Sequence, residues 1–270
     1  MALDVIAITG IGGMGIACAR RLGSGNQLLL SDINAKQLES AAEALRDDGF
    51  SVQTQVVDVA DSASVEAFAK RASELGFIRT LVHTAGISPL MADPLRIYSV
   101  DLVGTANVLD TFSAHMNAGS TAVIIASMAS KVAVLDADLA AQLATAPTNQ
   151  LIEIALGKYP DDANMAYALA KRGNQLRVEE TAVAWGLRGV RVVSVSPGLI
   201  ATPMARLEQN NPQAAHILSL APLQRIGTVE DIANLVQWLA SPAASYITGV
   251  DIGIDGGTIA AMRSAGHIAR

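Results

Sequence analysis

A chain of 270 residues that is 51% apolar, 16% charged and 4% aromatic is long enough to bury the core of one large α/β domain. Its net charge of −6 leaves no broad basic face, which argues against nucleic acid and anionic membrane as partners. One cysteine, Cys18, excludes an internal disulfide framework; its neighbours Ile16, Ala17 and Ala19 predict a packed core thiol.

In chain order, the start Met1-Ala2-Leu3-Asp4 lacks a basic segment and a cleavage pattern, so a soluble, cytoplasmic protein is expected. β-type runs follow at 5–9, 27–31, 52–57, 78–83, 122–126, 190–196 and 249–254. Helical periodicity fills 13–22, 35–47, 62–75, 95–116, 162–185 and 229–239. Residues 111–130 and 232–250 carry no Asp, Glu, Lys or Arg, yet both are interrupted by Ser, Thr, Asn or Gly and do not read as membrane spans. Nearly apolar strands, each followed by a helix, predict an α/β fold: a three-layer, doubly wound, seven-stranded parallel sheet in a single domain over 1–270.

The first strand–helix junction reads Thr9-Gly10-Ile11-Gly12-Gly13-Met14-Gly15. Glycines let the backbone turn sharply and approach a ligand, and a helix N-terminus offers free N–H groups to a pyrophosphate, so Gly10, Gly12, Gly13, Met14 and Gly15 are candidate nucleotide-binding residues. Asp32 follows the second strand, where a carboxylate accepts bonds from the adenosine ribose hydroxyls and repels a 2′-phosphate. No Arg or Lys lies in the loop or directly beside Asp32 to receive that phosphate, so NAD is expected over NADP.

Tyr167 and Lys171 stand at i and i+4 of a predicted helix and share one face. A nearby ammonium favours the phenolate, which makes an ordinary tyrosine usable as a general acid/base near neutral pH. The four histidines, His83, His115, His216 and His267, show no metal-ligand spacing, and no metal is expected.

With these motifs in order, the chain resembles the short-chain dehydrogenase/reductase family along nearly its whole length. The loop 9–15 is similar to the family's glycine loop but one residue shorter. Asp58-Val59 resembles the adenine-contacting pair, and His83-Thr84-Ala85-Gly86 stands where the family has Asn-Asn-Ala-Gly. Ser127 matches the catalytic serine, and Tyr167 and Lys171 match the catalytic tyrosine and lysine. Ser196-Pro197-Gly198-Leu199-Ile200-Ala201-Thr202-Pro203-Met204 resembles the loop that meets the nicotinamide.

The resemblance implies hydride exchange between NAD and a secondary alcohol or ketone. Tyr167 is then the acid/base, Lys171 lowers its pKa and binds the nicotinamide ribose, and Ser127 orients the substrate oxygen. Cofactor contacts are implied for Asp58, Val59, Ala85, Gly86 and Pro197, for Gly198 and the Ile200 backbone, and for Thr202 at the carboxamide. A homodimer or homotetramer is implied as well. An epimerase or dehydratase on the same scaffold, and a nucleotide-binding sensor without catalysis, are the alternatives.

Three departures stand out against the family pattern. Asp101, in Val100-Asp101-Leu102-Val103-Gly104, replaces the asparagine that holds a water near the lysine; Asn107 lies about 240° further around a regular helix and cannot take its place. Asp101 can still position that water through its oxygens, and an ionised carboxylate near Lys171 would form a charge pair that favours the charged lysine and partly cancels its pull on Tyr167. His83 is expected to be a hydrogen-bonded structural residue. Ser127 and Tyr167 lie unusually far apart, with an insertion at 131–161 whose helical apolar stripes (Leu135, Leu139, Leu143; Leu151, Ile152, Ala155, Leu156) need a surface to cover. Similar enlargements occur in bacterial members resembling hydroxysteroid dehydrogenases, so the insertion is expected to be a helical substrate lid. The pocket mouth is expected from Ser88, Pro89, Leu90 and Met91, from Met128, and from residues 199–207, favouring a hydrophobic alcohol or ketone.

Overall fold

The computed structural model describes residues 3–202 and 212–268. Its seven strands are β1 (Val5–Thr9), β2 (Gln27–Asp32), β3 (Ser51–Val56), β4 (Ile78–His83), β5 (Thr121–Ile125), β6 (Arg191–Pro197) and β7 (Asp251–Ile254). They form one parallel sheet in the order β3-β2-β1-β4-β5-β6-β7, the doubly wound arrangement expected. β3, at the edge, is the most polar run (Ser-Val-Gln-Thr-Gln-Val) and is half-exposed, as one covered side permits.

The helices are α1 (Gly13–Leu22), α2 (Ala35–Asp47), α3 (Ser62–Leu75), α4 (Pro94–Ile97), α5 (Gly104–Phe112), α6 (Ala137–Thr145), α7 (Leu151–Lys158), α8 (Ala163–Gly186), α9 (Pro212–Leu220), α10 (Val229–Ala240) and α11 (Thr258–Ser264). Asn34, Asp61, Asp93, Asp162 and Thr228 cap α2, α3, α4, α8 and α10 through side-chain oxygens that accept first-turn N–H groups. Strand alternation splits the core in two. Ala7 and Ile124 face Phe68, Phe112 and Trp185 on one side; Ile8 and Val123 face Cys18, Leu38 and Val236 on the other. Cys18 is the packed thiol expected: burial, with Glu230 nearby, pushes its pKa up to about 12.

The register aligns Thr9 with Ser31 and His83, and His83 with Ile124, so the loops after β1, β4 and β5 emerge side by side. The predicted helix at 95–116 is divided instead: a π-helical turn, Tyr98–Val103, joins α4 to α5, which ends at Phe112. The extra residue in the turn re-aims the positions after it. Gly104 then packs so closely on the β3–α3 loop that a Cβ there would lie 2.7 Å from Val59 Cγ2.

The insertion at 131–161 forms α6 and α7, with apolar stripes that cover the domain's own surface. Leu143, Leu151 and Ala155 are buried together with Tyr98 and Leu102 of the π-turn and Ala166, Leu169 and Ala170 of α8. No helix among the described residues is long and apolar enough to cross a membrane. Leu151→Ala should cost about 2–5 kcal/mol of unfolding free energy in urea, because the site sits between fixed helices and collapses poorly; a loss under ~1 kcal/mol would show the insertion to be loosely attached.

Candidate active site

The nucleotide side is built at the ends of β1, β2 and β3. Gly10 has φ +86, and a Cβ on it would lie 2.5 Å from the Ala85 nitrogen. A Cβ on Gly15 would run into the Gly10 carbonyl oxygen. Gly12 differs: it precedes α1 and nothing lies within 4 Å of where its Cβ would be. That open space beside the first-turn amides of Gly13, Met14 and Gly15 fits a pyrophosphate. The shortened loop is held from both flanks. Ile11 N–H donates to Asp32 Oδ2 (2.8 Å), Gln37 Nε2 donates to Ile11 O (2.9 Å), and Thr84 Oγ1 donates to Gly10 O (2.6 Å). Asp32 also accepts the Asn34 N–H (2.9 Å), so two backbone groups fix its carboxylate at the strand end. Asp58 accepts the Ala60 N–H (2.9 Å), and Arg96 Nη2 stands 3.8 Å from its other oxygen. Val59 O accepts from Asn107 Nδ2 (3.0 Å). Asn107 thus ties α5 to the β3–α3 loop, away from the lysine, as its sequence position predicts.

Lys171 and Asp101 form the electrostatic centre. Nζ lies 2.7 Å from Oδ1, and both side chains are almost wholly buried. Asp101 Oδ2 accepts the Ile87 N–H (3.2 Å). Burial pushes the Asp101 carboxyl above the ordinary aspartate range. Burial also opposes the charge on Lys171, but Asp101 and Tyr167 outweigh it and hold Lys171 above its ordinary value. Gly86 makes room for the pair, since a Cβ there would come 2.6 Å from Asp101 Oδ1 and 3.1 Å from Lys171 Nζ. Lys171 Nζ is 5.4 Å from the centre of the half-buried Tyr167 ring, one helical turn away. Ser127 begins a 3₁₀ turn and accepts the Ala129 N–H (3.2 Å), which keeps its own O–H free to donate elsewhere.

His83 is structural in its contacts. Thr105 Oγ1 donates to Asp101 O (2.9 Å), so it accepts from His83 Nε2 (3.0 Å), while His83 Nδ1 accepts from Thr9 Oγ1 (2.6 Å). Both ring nitrogens are occupied. Complete burial, with the Lys171 charge nearby, holds the imidazole neutral with a pKa lowered to about 3.

These residues open onto a cavity of about 360 Å³ lined by Met14, Gly86, Asp101, Ser127, Tyr167, Lys171, Pro197, Gly198, Ile200 and Thr202 among others. Ser88, Pro89, Leu90 and Met128 line it as expected, whereas Met91 does not. Of the insertion, Val132 alone reaches the cavity, so α6 and α7 support α8 and do not roof the pocket. Of the predicted mouth and nicotinamide loop, 203–207 lie outside the described residues. The sequence reading missed Asn164 and Met165, one turn before Tyr167, and Ile217, Ile259 and Met262 from α9 and α11. The i, i+3 spacing of Ile259 and Met262 was their only signal. Among the described residues, no group of three or more His, Cys, Asp or Glu side chains is placed to hold a metal.

A glycine cradle at the end of β1 and a tyrosine–lysine pair in the adjoining cavity define the class as a dinucleotide-binding α/β scaffold built for oxidoreduction. Residues 4–138 match the family model described as short chain dehydrogenase, and residues 151–258 match the one described as Enoyl-(Acyl carrier protein) reductase. A short-chain dehydrogenase/reductase, bsc3, of Alternaria brassicicola is 34% identical over 96% of this chain and 97% of its own. A 3-alpha-hydroxysteroid dehydrogenase/carbonyl reductase of Comamonas testosteroni is 31% identical over 68% of this chain and 73% of its own. The crystal structure of levodione reductase superimposes with a TM-score of 0.77 at 28% identity, covering 95% of this chain and 98% of that one. The chain belongs to the short-chain dehydrogenase/reductase family, whose members use NAD or NADP.

Because folded His83 stays neutral to about pH 3 while the unfolded chain takes up its proton below ~6.5, stability falls with pH between those values. His83 alone should contribute about 1.4 kcal/mol per pH unit to that loss. Urea unfolding from pH 6.5 downward should therefore give a steeper decline for the wild type than for His83→Asn; equal slopes would show that His83 takes its proton in the folded protein.

Proposed function

We propose that the chain is an NAD-preferring dehydrogenase/reductase that interconverts a secondary alcohol and a ketone on a neutral, largely apolar substrate. The observation that carries this reading is the meeting of half-buried Tyr167, buried and charged Lys171 and Ser127 in one cavity whose other walls are mainly apolar. The nicotinamide nucleotide, when bound, supplies or accepts the hydride. Gly10, Gly12, Gly13, Met14 and Gly15 would hold its pyrophosphate, Asp32 its adenosine ribose, and Asp58 and Val59 its adenine. Ala85, Gly86, Lys171, Pro197, Gly198, Ile200 and Thr202 would hold the nicotinamide end. The backbone bonds that fix the Asp32 carboxylate support NAD, because a 2′-phosphate there would meet a negative charge it cannot push aside.

In oxidation the Tyr167 phenolate accepts the proton of the substrate hydroxyl, and in reduction the phenol returns it to the forming alkoxide. Ser127 donates its O–H to the same oxygen, where charge develops. Lys171 favours the phenolate through its field. Asp101 acts on Tyr167 through Lys171: it keeps the ammonium charged in an apolar setting and offsets part of its pull. A homodimer or homotetramer belongs to this reading, supported by exposed apolar side chains such as Val183 late in α8, Leu187 just after it and Tyr246 before β7.

A panel of secondary alcohols and ketones followed by NADH absorbance tests the assignment. Tyr167→Phe should lower kcat by about a thousandfold with the nucleotide Kd unchanged; turnover that survives this change would sink the acid/base role. NAD should be used in preference to NADP, with Asp32→Ser narrowing the gap. Asp101→Asn removes a negative charge that opposes the pull of Lys171, so Tyr167 ionises more readily. The rising limb of kcat against pH for alcohol oxidation should then move to lower pH, and an unmoved limb would remove Asp101 from the electrostatics of the reaction.

A further inference from the structure

We infer that Asp251 is a positioning residue for the reaction: from behind the cavity wall it fixes Ser127 against the loop that begins at Pro197, and so sets the rate of turnover without touching substrate or nucleotide. The inference rests on the reading above and goes beyond it. Asp251 opens β7 directly beside Ser194 of β6. Strand alternation turns Ser194, Ser196 and Asp251 to the face that α8 covers, while Val193, Val195, Ile252 and Ile254 pack on the other.

The Asp251 carboxylate bridges three other elements. Oδ1 accepts from the Ser194 hydroxyl (2.9 Å) and the Ser196 hydroxyl (2.7 Å) of β6. Oδ2 accepts from Lys131 Nζ (2.9 Å), at the end of the 3₁₀ turn that Ser127 caps, and from Gln175 Nε2 (2.9 Å) of α8. The same amide nitrogen reaches Ser130 Oγ (2.7 Å) and Ser196 Oγ (2.8 Å). Arg172 Nη1 (2.9 Å) and Lys131 Nζ (3.4 Å) donate to Gln175 Oε1, which decides the way the amide points. Ser130 completes the path to Ser127, because its N–H donates to Ser127 O (3.1 Å). On the other side, Ser196 runs directly into Pro197 and Gly198.

Stability does not account for the network. The Asp251 side chain is 9% exposed and that of Lys131 26%, and apolar groups of similar volume often serve a fold as well as a largely desolvated pair. What four hydrogen bonds to one carboxylate do supply is fixed distance. None of Ser130, Lys131, Gln175, Ser194, Ser196 and Asp251 lines the cavity, whereas Ser127, Met128 and Ala129 of the turn and Pro197 and Gly198 of the loop do. The network therefore reaches the reacting atoms only through those two stretches. Ser127 has to keep its O–H within hydrogen-bond reach of the substrate oxygen as charge develops there, and a small displacement of the turn forfeits that bond in the transition state.

The test is a double-mutant cycle between Asp251→Val and Ser127→Ala, read on whichever secondary alcohol of the panel above is turned over fastest. Valine suits a strand and removes every hydrogen bond of the carboxylate. Asp251→Val should lower kcat about tenfold when Ser127 is present and by less than about twofold when it is already alanine, since a misplaced serine costs only what the serine contributed. The nucleotide Kd should not change. Equal losses in the two backgrounds overturn the proposal. So does an unchanged kcat with a lower melting temperature, which would make the network structural alone, and so does a raised nucleotide Kd, which would give Asp251 to the cofactor loop. Should Asp251→Val not fold, Lys131→Met carries the same cycle, because that side chain is partly exposed and its loss leaves Asp251 with Gln175, Ser194 and Ser196. A loss of kcat there that is independent of Ser127, or no loss, overturns the proposal. Additive losses in an enzyme that turns over alcohols overturn this inference alone; turnover of no alcohol or ketone by the wild type overturns the dehydrogenase reading and this inference with it.

Discussion

A lysine cannot stay charged in an apolar interior without a counter-charge, and the Asp101–Lys171 pair is where this chain meets that constraint. Much of the surrounding architecture follows from it. The π-turn carries Asp101 toward α8, Gly86 leaves out the Cβ that would push between the two groups, and the Ile87 amide occupies the second carboxylate oxygen. His83 and Thr105 then fasten the same turn to the ends of β1 and β4. One ion pair thereby joins the helix bearing Tyr167, the loop after β4 and the glycine cradle.

The same pair shapes the electrostatics of the cavity. Because both charges are spent on each other, the field that reaches Tyr167 is that of a dipole and not of an isolated ammonium, and the walls beyond it present few polar groups. The site is consequently sensitive to position. A shift of the π-turn moves Asp101, the lysine and the Gly86–Ile87 loop together, which is why the packing beneath it matters. The insertion supplies that packing: Leu143, Leu151 and Ala155 are buried together with Tyr98 and Leu102 of the π-turn and Ala166, Leu169 and Ala170 of α8. The enlarged Ser-to-Tyr segment therefore packs on the π-turn and α8, while among the described residues Ile217 of α9 and Ile259 and Met262 of α11 line the cavity.

Local chemistry was well advertised along the chain. Alternation of apolar strands and periodic helices, glycines after the first strand, a carboxylate after the second and a Tyr–Lys pair at helical spacing are short-range patterns, each readable without knowing what lies across the fold. The structural role of His83 was legible from the family resemblance, whose matching position is structural, and not from its place at a strand end. The division of the 95–116 helix was not legible: a π-turn has no composition of its own and is stabilised here by partners from β1, β4 and α8. Ile259 and Met262 were equally hidden, because nothing in their vicinity says that the last helix folds back over a loop more than a hundred residues earlier.

By itself, then, the sequence determined the class of fold, the glycine turn after the first strand and the shared helix face of Tyr167 and Lys171, because period, turn chemistry and i, i+4 spacing are local properties of a chain. Only the tertiary structure decided what surrounds them: that the Asp101–Lys171 pair is almost wholly buried behind Gly86, that a π-turn carries Asp101, and that the insertion packs on that turn and on α8. Burial and pairing are relations between residues far apart in sequence. They come into being when the sheet closes and water is excluded, and no run of neighbouring letters encodes them.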